Sequence, residues 1–516
     1  MFLFNHTLTE SIHYRIIDFY KEIQMKKHIL FLVILSIFTG SIFANKIDET
    51  ITSLDFVNRL GVGFQYPLTV EKADKAALDT IKEKGFNTIR ITTNPGLYLT
   101  DENFTIDSAY IEKLTQLVDY AIEKDLYVIL CGPLCEKIEA EDIIYEGYFV
   151  NEDDKDYSEE FLAAVWSQYA EAFNDSYDQH LIFETLNEPA DLYHFHAGHE
   201  RDDCLDCKSD FAVLNSYNQL ILDTIRSSGG NNAKRFVMVE GLSGRWQNIT
   251  NKKFKLPKDK VKDRLIPAFH YYPMGRGELA RKYYISFMKD DITNCFSNLK
   301  KTYFSKKIPV YITEGISEGS APVLERIKCM KDLMTEITSN KYPCGLVVAS
   351  ALDFDKSETE SVYIDSLLSA AQGKDYPLSE DFKKKNEVKI ESVVGKNILD
   401  GEWEMRSWEN ECIINPDVLV NSTPKNYLLE FEFEFIGHKP VFRFGYFDQE
   451  MNQFDGVALK NMTANGGIIT RDIITIKSEI VTLTISEVVA KKLTESSYIH
   501  IEGQEIIVKS VKVKNR

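Results

Sequence analysis

Two glutamates lie at the ends of short apolar runs, and together they could carry out hydrolysis. Glu188 lies in "FETLNEPAD", and Glu314 lies in "PVYITEGIS". A chain that ends a buried strand with a carboxylate needs a reason, because an unpaired buried charge is costly. Acetal hydrolysis requires two carboxyl groups: one protonates the departing oxygen, and the other attacks or activates water. We therefore interpret the two residues as a candidate catalytic pair.

Eight short β-rich runs, separated by segments of helical period, would position this pair. The runs cover residues 62–64, 88–91, 127–130, 181–185, 236–239, 266–270, 310–313 and 345–350. One helical stripe follows a capping residue at Asp107, and another ends at Gly85. This alternation predicts an α/β fold, a (β/α)8 TIM barrel. A doubly wound sheet is the alternative, but no glycine-rich phosphate loop follows the first run.

A barrel would bring the two glutamates face to face. Active sites of this fold gather at the C-terminal ends of the strands, and Glu188 follows the fourth run while Glu314 follows the seventh. These strands lie on opposite sides of a barrel mouth, so the side chains can meet across a bound sugar. If the reaction retains configuration, we expect the carboxyl groups about 5 Å apart.

Five sequence motifs occur in an order that is typical of one enzyme family. They are "GFNTIRI" (85–91), "LNEP" (186–189), "GGNNAKRFVMV" (229–239), "FHYYP" (269–273) and "ITEG" (312–315). Together they resemble glycoside hydrolase family 5, the large cellulase family, over residues 51–371. By this resemblance Glu188 is the acid/base and Glu314 the nucleophile, while Asn187 contacts the sugar 2-hydroxyl and the nucleophile.

The resemblance also implies supporting roles for three further residues. Arg90 corresponds to the arginine that keeps the nucleophile ionised, because an adjacent cation lowers a carboxylate pKa. A structural ion pair between Arg90 and Glu184 is the alternative, and the two are compatible. His270 and Tyr272 correspond to a His-x-Tyr pair, with Tyr272 near the nucleophile and His270 lining the site.

The chain departs from the family pattern at several positions. The family commonly has a His pair after strand three, where this chain has Cys131 and Cys135, and an Asn after strand one, where Gln65 stands. The usual Trp after strand eight is also missing; the segment there contains Ala351, Leu352 and Phe354. Trp246, after strand five, is a candidate substitute platform for the sugar, although packing in the core explains a Trp equally well.

The two ends of the chain suggest separate units. Residues 25–44 combine a basic start with an apolar run and read as a signal peptide, with an uncleaved anchor as the alternative. Residues 1–24 are then an upstream extension, and we expect export to the cell surface, the periplasm or the medium. Residues 372–387 are polar and predict a linker.

Residues 388–516 lose helical periodicity and alternate apolar with polar side chains, which predicts an antiparallel β-sandwich. If this domain binds carbohydrate, Trp403, Trp408 or Tyr446 could stack on a sugar. These aromatic residues could instead fill the core.

The composition of the chain limits the classes of molecule that it is expected to bind. A net charge of −19 argues against nucleic acid, whose phosphates would be repelled. A loop with His194, His196, His199, Cys204 and Cys207 could hold a metal, but a polar or disulfide-linked loop explains it better. We expect no metal and no cofactor, because carboxyl groups fill both catalytic roles.

The sequence thus predicts an exported, monomeric, retaining β-glycanase, most simply an endo-β-1,4-glucanase, with a polysaccharide or oligosaccharide as its partner. Mannan, xyloglucan and β-1,3-glucan are alternative substrates. A carbohydrate-binding protein on a decayed barrel is the alternative from another class.

Overall fold

The fold is described from a computed structural model. It describes residues 46–66, 74–134, 138–140, 143–191, 205–275, 281–316, 321–339, 344–348, 357–388, 391–408, 410–420, 422–448, 453–455, 463–471, 473–496 and 498–516. The predicted signal peptide and the residues before it lie outside these ranges. Within them, no helix has both the length and the apolar character needed to cross a membrane.

Eight parallel strands close into a barrel, which confirms the predicted fold class. In chain order the strands of this part are β1 (Val62–Tyr66), β2 (Thr88–Thr92), β3 (Tyr127–Cys131), β4 (Ile138–Ala140), β5 (Ile143–Tyr145), β6 (Leu181–Glu184), β7 (Val237–Arg245), β8 (Leu265–Tyr271), β9 (Val310–Gly315) and β10 (Cys344–Val348). β4 and β5 form a separate hairpin, and the other eight pair in chain order, with β10 returning to β1.

Helices surround the barrel. They are α1 (Ser53–Leu60), α2 (Lys75–Lys84), α3 (Ser108–Glu123), α4 (Lys155–Ala172), α5 (Leu205–Ser227), α6 (Trp246–Ile249), α7 (Ser286–Thr302), α8 (Val323–Ser339) and α9 (Glu358–Ala371). The predicted caps are present: Asp107 accepts the N–H of Ala109 at the start of α3, and α2 ends at Gly85, whose φ of 110° favours glycine. Between β7 and β8 the described chain forms only the four-residue α6, so the regular alternation is shortened there.

Helix α1 covers the N-terminal end of the barrel and leaves the other end for chemistry. Phe56 stacks on Phe236 with ring centroids 4.0 Å apart. The same apolar cluster includes the buried side chains of Ile129, Ile182 and Ile266, which point into the bottom of the barrel. Because apolar side chains fill this end, the polar groups of an active site are expected at the opposite mouth.

Arg235, just before β7, holds the loop between α4 and β6. Its side chain is fully buried. It donates to the side chain of Asn232 at 2.6 Å and to the backbone carbonyls of Asn174, Tyr177, Asp178 and Leu181 at 2.8–3.1 Å. A planar guanidinium can satisfy several carbonyls at once, which a lysine cannot.

The C-terminal part is a two-sheet antiparallel sandwich, as predicted. Its strands are β11 (Trp403–Met405), β12 (Glu411–Ile414), β13 (Tyr427–Phe435), β14 (Val441–Asp448), β15 (Gln453–Asp455), β16 (Ala464–Asn465), β17 (Gly467–Thr470), β18 (Ile473–Ile476), β19 (Ile480–Ile485), β20 (Ile499–Gln504) and β21 (Ile506–Asn515). One sheet has the order β11-β21-β13-β19-β16, and the other β12-β20-β14-β18-β17, with β15 beside β14. Apolar side chains of both sheets share one core.

Two helices correct the expectation that helical structure ends at residue 371. α10 (Glu380–Lys385) lies in the predicted linker, and its Phe382 is buried in the apolar core of the barrel. α11 (Glu487–Glu495) lies between β19 and β20 and buries Val489, Ala490 and Leu493 against the sandwich. Both are short, so a search for long periodic stretches passes over them.

The three aromatic residues proposed as sugar platforms have different environments. Tyr446 is 3% exposed and belongs to the sandwich core, so the core interpretation is right for it. Trp408 is half-buried, with the guanidinium of Arg443 4.7 Å from its ring centre. Trp403 is 39% exposed on the edge strand β11, and its Nε1 donates to the carbonyl of Asp400, so part of this side chain is accessible to a ligand.

Replacing Arg235 by Met should destabilise the protein by about 3–5 kcal/mol, because buried carbonyls would lose their donor. Urea unfolding followed by circular dichroism measures this loss. Lys234→Met is the matched control: Lys234 and its partner Glu49 are both exposed, and such pairs contribute at most about 1 kcal/mol. Equal stabilities for the two variants would contradict the role of Arg235.

Candidate active site

The two candidate carboxylates lie at the open mouth of the barrel. Glu188 follows β6 by four residues, and Glu314 lies within β9. Glu188 has a φ of 45°, in the left-handed region that non-glycine residues rarely adopt. Its backbone N–H donates to Glu240 Oε2 at 2.8 Å, which helps hold this conformation. The Glu188 side chain that follows from this turn lies within hydrogen-bond distance of His270 on β8.

The structure brings these carboxylates close to each other and to His270. One oxygen of Glu188, one oxygen of Glu314 and a ring nitrogen of His270 all lie within 4.8 Å of one another. The side chains of Glu188 and Glu314 are 27% and 14% exposed, so both remain accessible from the mouth. A substrate atom placed between them could therefore contact both.

Arg90, on β2, is the central cation of the site and is fully buried. Its Nε donates to Glu184 at 2.6 Å, its Nη1 to Glu314 Oε2 at 2.9 Å and its Nη2 to Asn187 Oδ1 at 2.9 Å. Burial alone would lower the pKa of Arg90, but Cys131, Glu184 and Glu314 raise it well above its usual value. Arg90 thus forms both ion pairs that the sequence analysis considered, one with Glu184 and one with Glu314.

The surroundings of Glu314 favour its charged form. Tyr272 donates its hydroxyl to Glu314 Oε1 at 2.6 Å, opposite the oxygen that Arg90 binds. Burial would raise the pKa of Glu314, but His270, Arg90 and the Tyr272 hydroxyl together lower it, against the repulsion of Glu188. An ionised carboxylate with both oxygens oriented is suited to nucleophilic attack.

His270, on β8, lies between two glutamates. Its Nδ1 is 2.8 Å from Glu188 Oε1, and its Nε2 is 3.0 Å from Glu240 Oε1. Burial would lower the pKa of His270, but Glu240, Glu314 and the hydrogen bond with Glu188 raise it to about 9. The ring therefore carries a positive charge at neutral pH and can orient the Glu188 carboxyl group.

Sequence reasoning missed Glu240, which lies on β7 and is fully buried. Burial raises the pKa of Glu240 despite the nearby His270. Gly244 packs against this pair: its φ is 62°, and a Cβ there would lie 2.8 Å from Glu240 Oε1. Glu240 ends an apolar run just as Glu188 does, so the same signal could have found it.

The departures from the family pattern have structural substitutes where the chain is described. Gln65 accepts from Arg90 Nη1 at 3.1 Å and donates to Thr92 at 2.7 Å. Cys131 is buried with its sulfur 3.1 Å from Arg90 Nη2, and burial raises the pKa of its thiol. Cys135, Ala351, Leu352 and Phe354 lie outside the described residues.

Trp246 fits both of its interpretations. It is 7% exposed and belongs to the barrel core, yet it also lines the cavity that begins at Glu188. Its side chain is therefore mostly packed in the core, with a small part bordering the cavity.

Two groups of described residues have ligand atoms close enough for a metal ion. They are Glu184, Glu240 and His270, and Glu188, His270 and Glu314. Arg90 already donates to Glu184 and Glu314, and both groups would need the same imidazole. A cation would thus compete with the guanidinium and a positively charged ring. The loop with His194, His196, His199 and Cys204 lies outside the described residues, as does the side chain of Cys207.

The pair of His270 and Glu240 should make stability depend on pH. In the unfolded chain both groups have released their protons above about pH 6.5, whereas the folded pair holds at least one proton up to about pH 9. The folded state therefore binds more protons in this window, and its stability falls as pH rises, by up to about 3 kcal/mol. The double variant His270→Asn/Glu240→Gln should lack this fall in urea unfolding between pH 6.5 and 9. His438→Asn, an exposed control, should keep it; a fall of equal size in the double variant would refute the assignment.

The sequence matches the family described as Cellulase (glycosyl hydrolase family 5) over residues 58–347, which is more than half of the chain. Endoglucanase B of Ruminococcus albus is 32% identical over 275 residues, which are 52% of this chain and 62% of that protein. Endoglucanase A of Clostridium longisporum is 31% identical over 335 residues, 61% of this chain and 58% of that protein. The chain thus spans about three fifths of the length of these curated relatives.

A solved family 5 lichenase from Caldicellulosiruptor sp. F32 has a similar fold. Its TM-score is 0.55 at 25% sequence identity, over 64% of this chain and 97% of that one. The family match covers the barrel strands that carry Arg90, Glu184, Glu240, His270 and Glu314. On this match, the chain belongs to glycosyl hydrolase family 5.

Proposed function

We propose that this chain is an exported β-glycanase that cleaves β-linked glucan, most simply an endo-β-1,4-glucanase, with retention of configuration. The observation that carries the proposal is the short distance between the two carboxylates: one oxygen of Glu188 and one oxygen of Glu314 lie within 4.8 Å of each other. Retaining glycosidases hold their carboxyl groups about 5 Å apart, whereas inverting enzymes leave room for a water molecule between them.

The two carboxylates differ in their surroundings in the way that double displacement needs. Glu314 accepts from Arg90 and Tyr272, which favours the ionised form of a nucleophile. Glu188 is more exposed and contacts His270, which can orient it as the acid that protonates the leaving oxygen and then as the base that activates water. Asn187 is held by Arg90 at the same mouth, where a sugar hydroxyl would lie.

The relatives support a glucan substrate. Two proteins with about 31% identity are named endoglucanases, and the similar solved structure is named a lichenase. Mannan, xyloglucan and β-1,3-glucan remain alternative substrates, because loops set specificity in this fold. Reducing-sugar release from a panel of purified polysaccharides tests the choice.

The apolar segment at 25–44 supports export, and we propose a monomeric enzyme.

A binding protein without activity is less well supported. Loss of function would leave catalytic groups free to change, yet Glu188, Glu314, Arg90, His270 and Tyr272 form one connected network of hydrogen bonds and ion pairs. Turnover by the purified protein on any β-glucan decides between the two alternatives.

Alanine substitutions should separate the roles of the two carboxylates. Glu314→Ala should abolish turnover on every substrate, because no glycosyl–enzyme intermediate can form. Glu188→Ala should lose about 10²–10⁴-fold on natural linkages but retain cleavage of activated aryl glycosides, which need no protonation. Azide should accelerate the Glu188→Ala variant and give a β-glycosyl azide. Glu171→Ala, an exposed control on α4, should behave as wild type; two equally inactive variants without azide rescue would refute the assignment.

Chelation should leave activity unchanged, because Arg90 and His270 already supply the positive charge of the site. Activity on a soluble β-glucan before and after dialysis against EDTA measures this. A large loss that returns with added Ca²⁺ or Zn²⁺ would contradict the prediction and point to the histidine-rich loop at 194–207.

A further inference from the structure

The cavity that begins at the catalytic mouth is not built from the barrel alone. It has a volume of about 410 Å³, within the range of small-ligand sites. Glu188, His270, Trp246 and Tyr272 line one part of it. Its wall also includes Glu495 and Ser496, the last residue of α11 and the residue after it, which belong to the C-terminal domain.

Arg281 fixes the C-terminal domain at this place. It lies in the barrel segment between β8 and α7, and its side chain is 7% exposed. Its Nε donates to Asp417 at 2.6 Å, its Nη1 to the carbonyl of Ser496 at 2.9 Å and its Nη2 to the carbonyl of Thr494 at 3.0 Å. The N–H of Lys282 also donates to Asp417.

These contacts constrain orientation as well as distance. Three nitrogens of one planar guanidinium donate to two separate segments of the C-terminal domain, so the domain cannot rotate about this point without breaking a hydrogen bond. Asp417 is 4% exposed, and a buried pair of this kind is costly to separate. The acceptors include the backbone of Ser496 itself, so the anchor and the cavity wall are the same piece of chain.

We propose that the C-terminal domain forms part of the substrate-binding cleft, and that Glu495 binds a sugar residue on the leaving-group side of the scissile bond. This proposal rests on the proposed function and extends it. Of the two candidate catalytic carboxylates, it is Glu188 that lines this cavity, and Glu188 would protonate the leaving oxygen. A chain that extends from Glu188 through the cavity therefore carries the leaving group toward α11.

Glu495 has the chemistry to bind a neutral sugar. Its side chain is 24% exposed, and it forms an ion pair at 3.7 Å with Lys491, whose side chain is 71% exposed. A carboxylate accepts hydrogen bonds from sugar hydroxyl groups, and it does so without a bound metal. Trp246, in the same wall, adds aromatic surface that the apolar face of a sugar ring could contact.

The test compares one probe that reaches the C-terminal domain with one that does not. Cellohexaose can extend through the cavity, whereas 4-nitrophenyl β-cellotrioside has only a small leaving group. Glu495→Ala should lower the ratio of kcat/KM for cellohexaose to kcat/KM for the aryl glycoside by about tenfold, as expected when a hydrogen bond to a charged group is lost. Glu487→Ala, at the other end of α11, is the matched control and should keep the wild-type ratio.

A binding measurement separates this proposal from the proposed function. Calorimetric titration of cellohexaose into Glu314→Gln should show an affinity about tenfold higher than into Glu314→Gln/Glu495→Ala. Arg281→Met should lower the ratio of kcat/KM for cellohexaose to kcat/KM for the aryl glycoside as much as Glu495→Ala does. The double variant Arg281→Met/Glu495→Ala should show little further loss. Because Glu495→Ala leaves the Arg281 contacts in place, it tests the cleft even if Arg281→Met does not fold.

The outcomes are distinct. If wild-type protein cleaves neither probe, the proposed function fails, and the calorimetric comparison alone decides whether Glu495 binds glucan. If wild-type protein is active but Glu495→Ala changes neither the ratio nor the affinity, the C-terminal domain is only a structural neighbour of the cleft and the proposal is overturned.

Discussion

The buried guanidinium of Arg90 is the interaction on which the rest of the site depends. A fully buried cation must be paired, and Arg90 is paired with Glu184 and Glu314 while it also holds the amide of Asn187. These partners come from β6, β9 and the loop after β6, so one side chain on β2 links three parts of the barrel mouth. Its position fixes where the nucleophile candidate can lie.

Charge balance around Arg90 explains the protonation pattern of the site. Four glutamates lie at the mouth, and the cations that face them are Arg90 and His270. Two positive charges cannot neutralise four carboxylates, and the fully buried Glu240 shows the effect: burial raises its pKa, and the repulsion of Glu184 and Glu188 adds to this against the attraction of His270 and Arg90. Glu314, which accepts from Arg90 and Tyr272, has a lowered pKa and stays ionised, while Glu188 is the more exposed of the two candidate carboxylates.

A second buried arginine joins the barrel to the sandwich. Arg281 uses the same chemistry as Arg90, a planar cation with several acceptors, to hold two domains rather than two strands. The linker between them contains α10, whose Phe382 packs into the barrel core, so this connection is also docked on the barrel. Geometry at the cavity therefore depends on both domains.

The sequence by itself determined the elements and the residues with obvious local signals. The eight barrel strands, the caps at Asp107 and Gly85 and the sandwich follow from periodicity, because burial of one face imposes it. The positions of Glu188 and Glu314 follow from motifs at strand ends.

Only the tertiary structure decided which distant groups share the site. Glu240 became visible when β7 placed it beside His270, and the contribution of Glu495 to the cavity appeared when Arg281 joined two domains. A strand-end signal marks Glu240 as a candidate, but its partners cannot be read from one segment, because a carboxylate acquires its pKa and its role from neighbours that the chain brings together over long sequence distances.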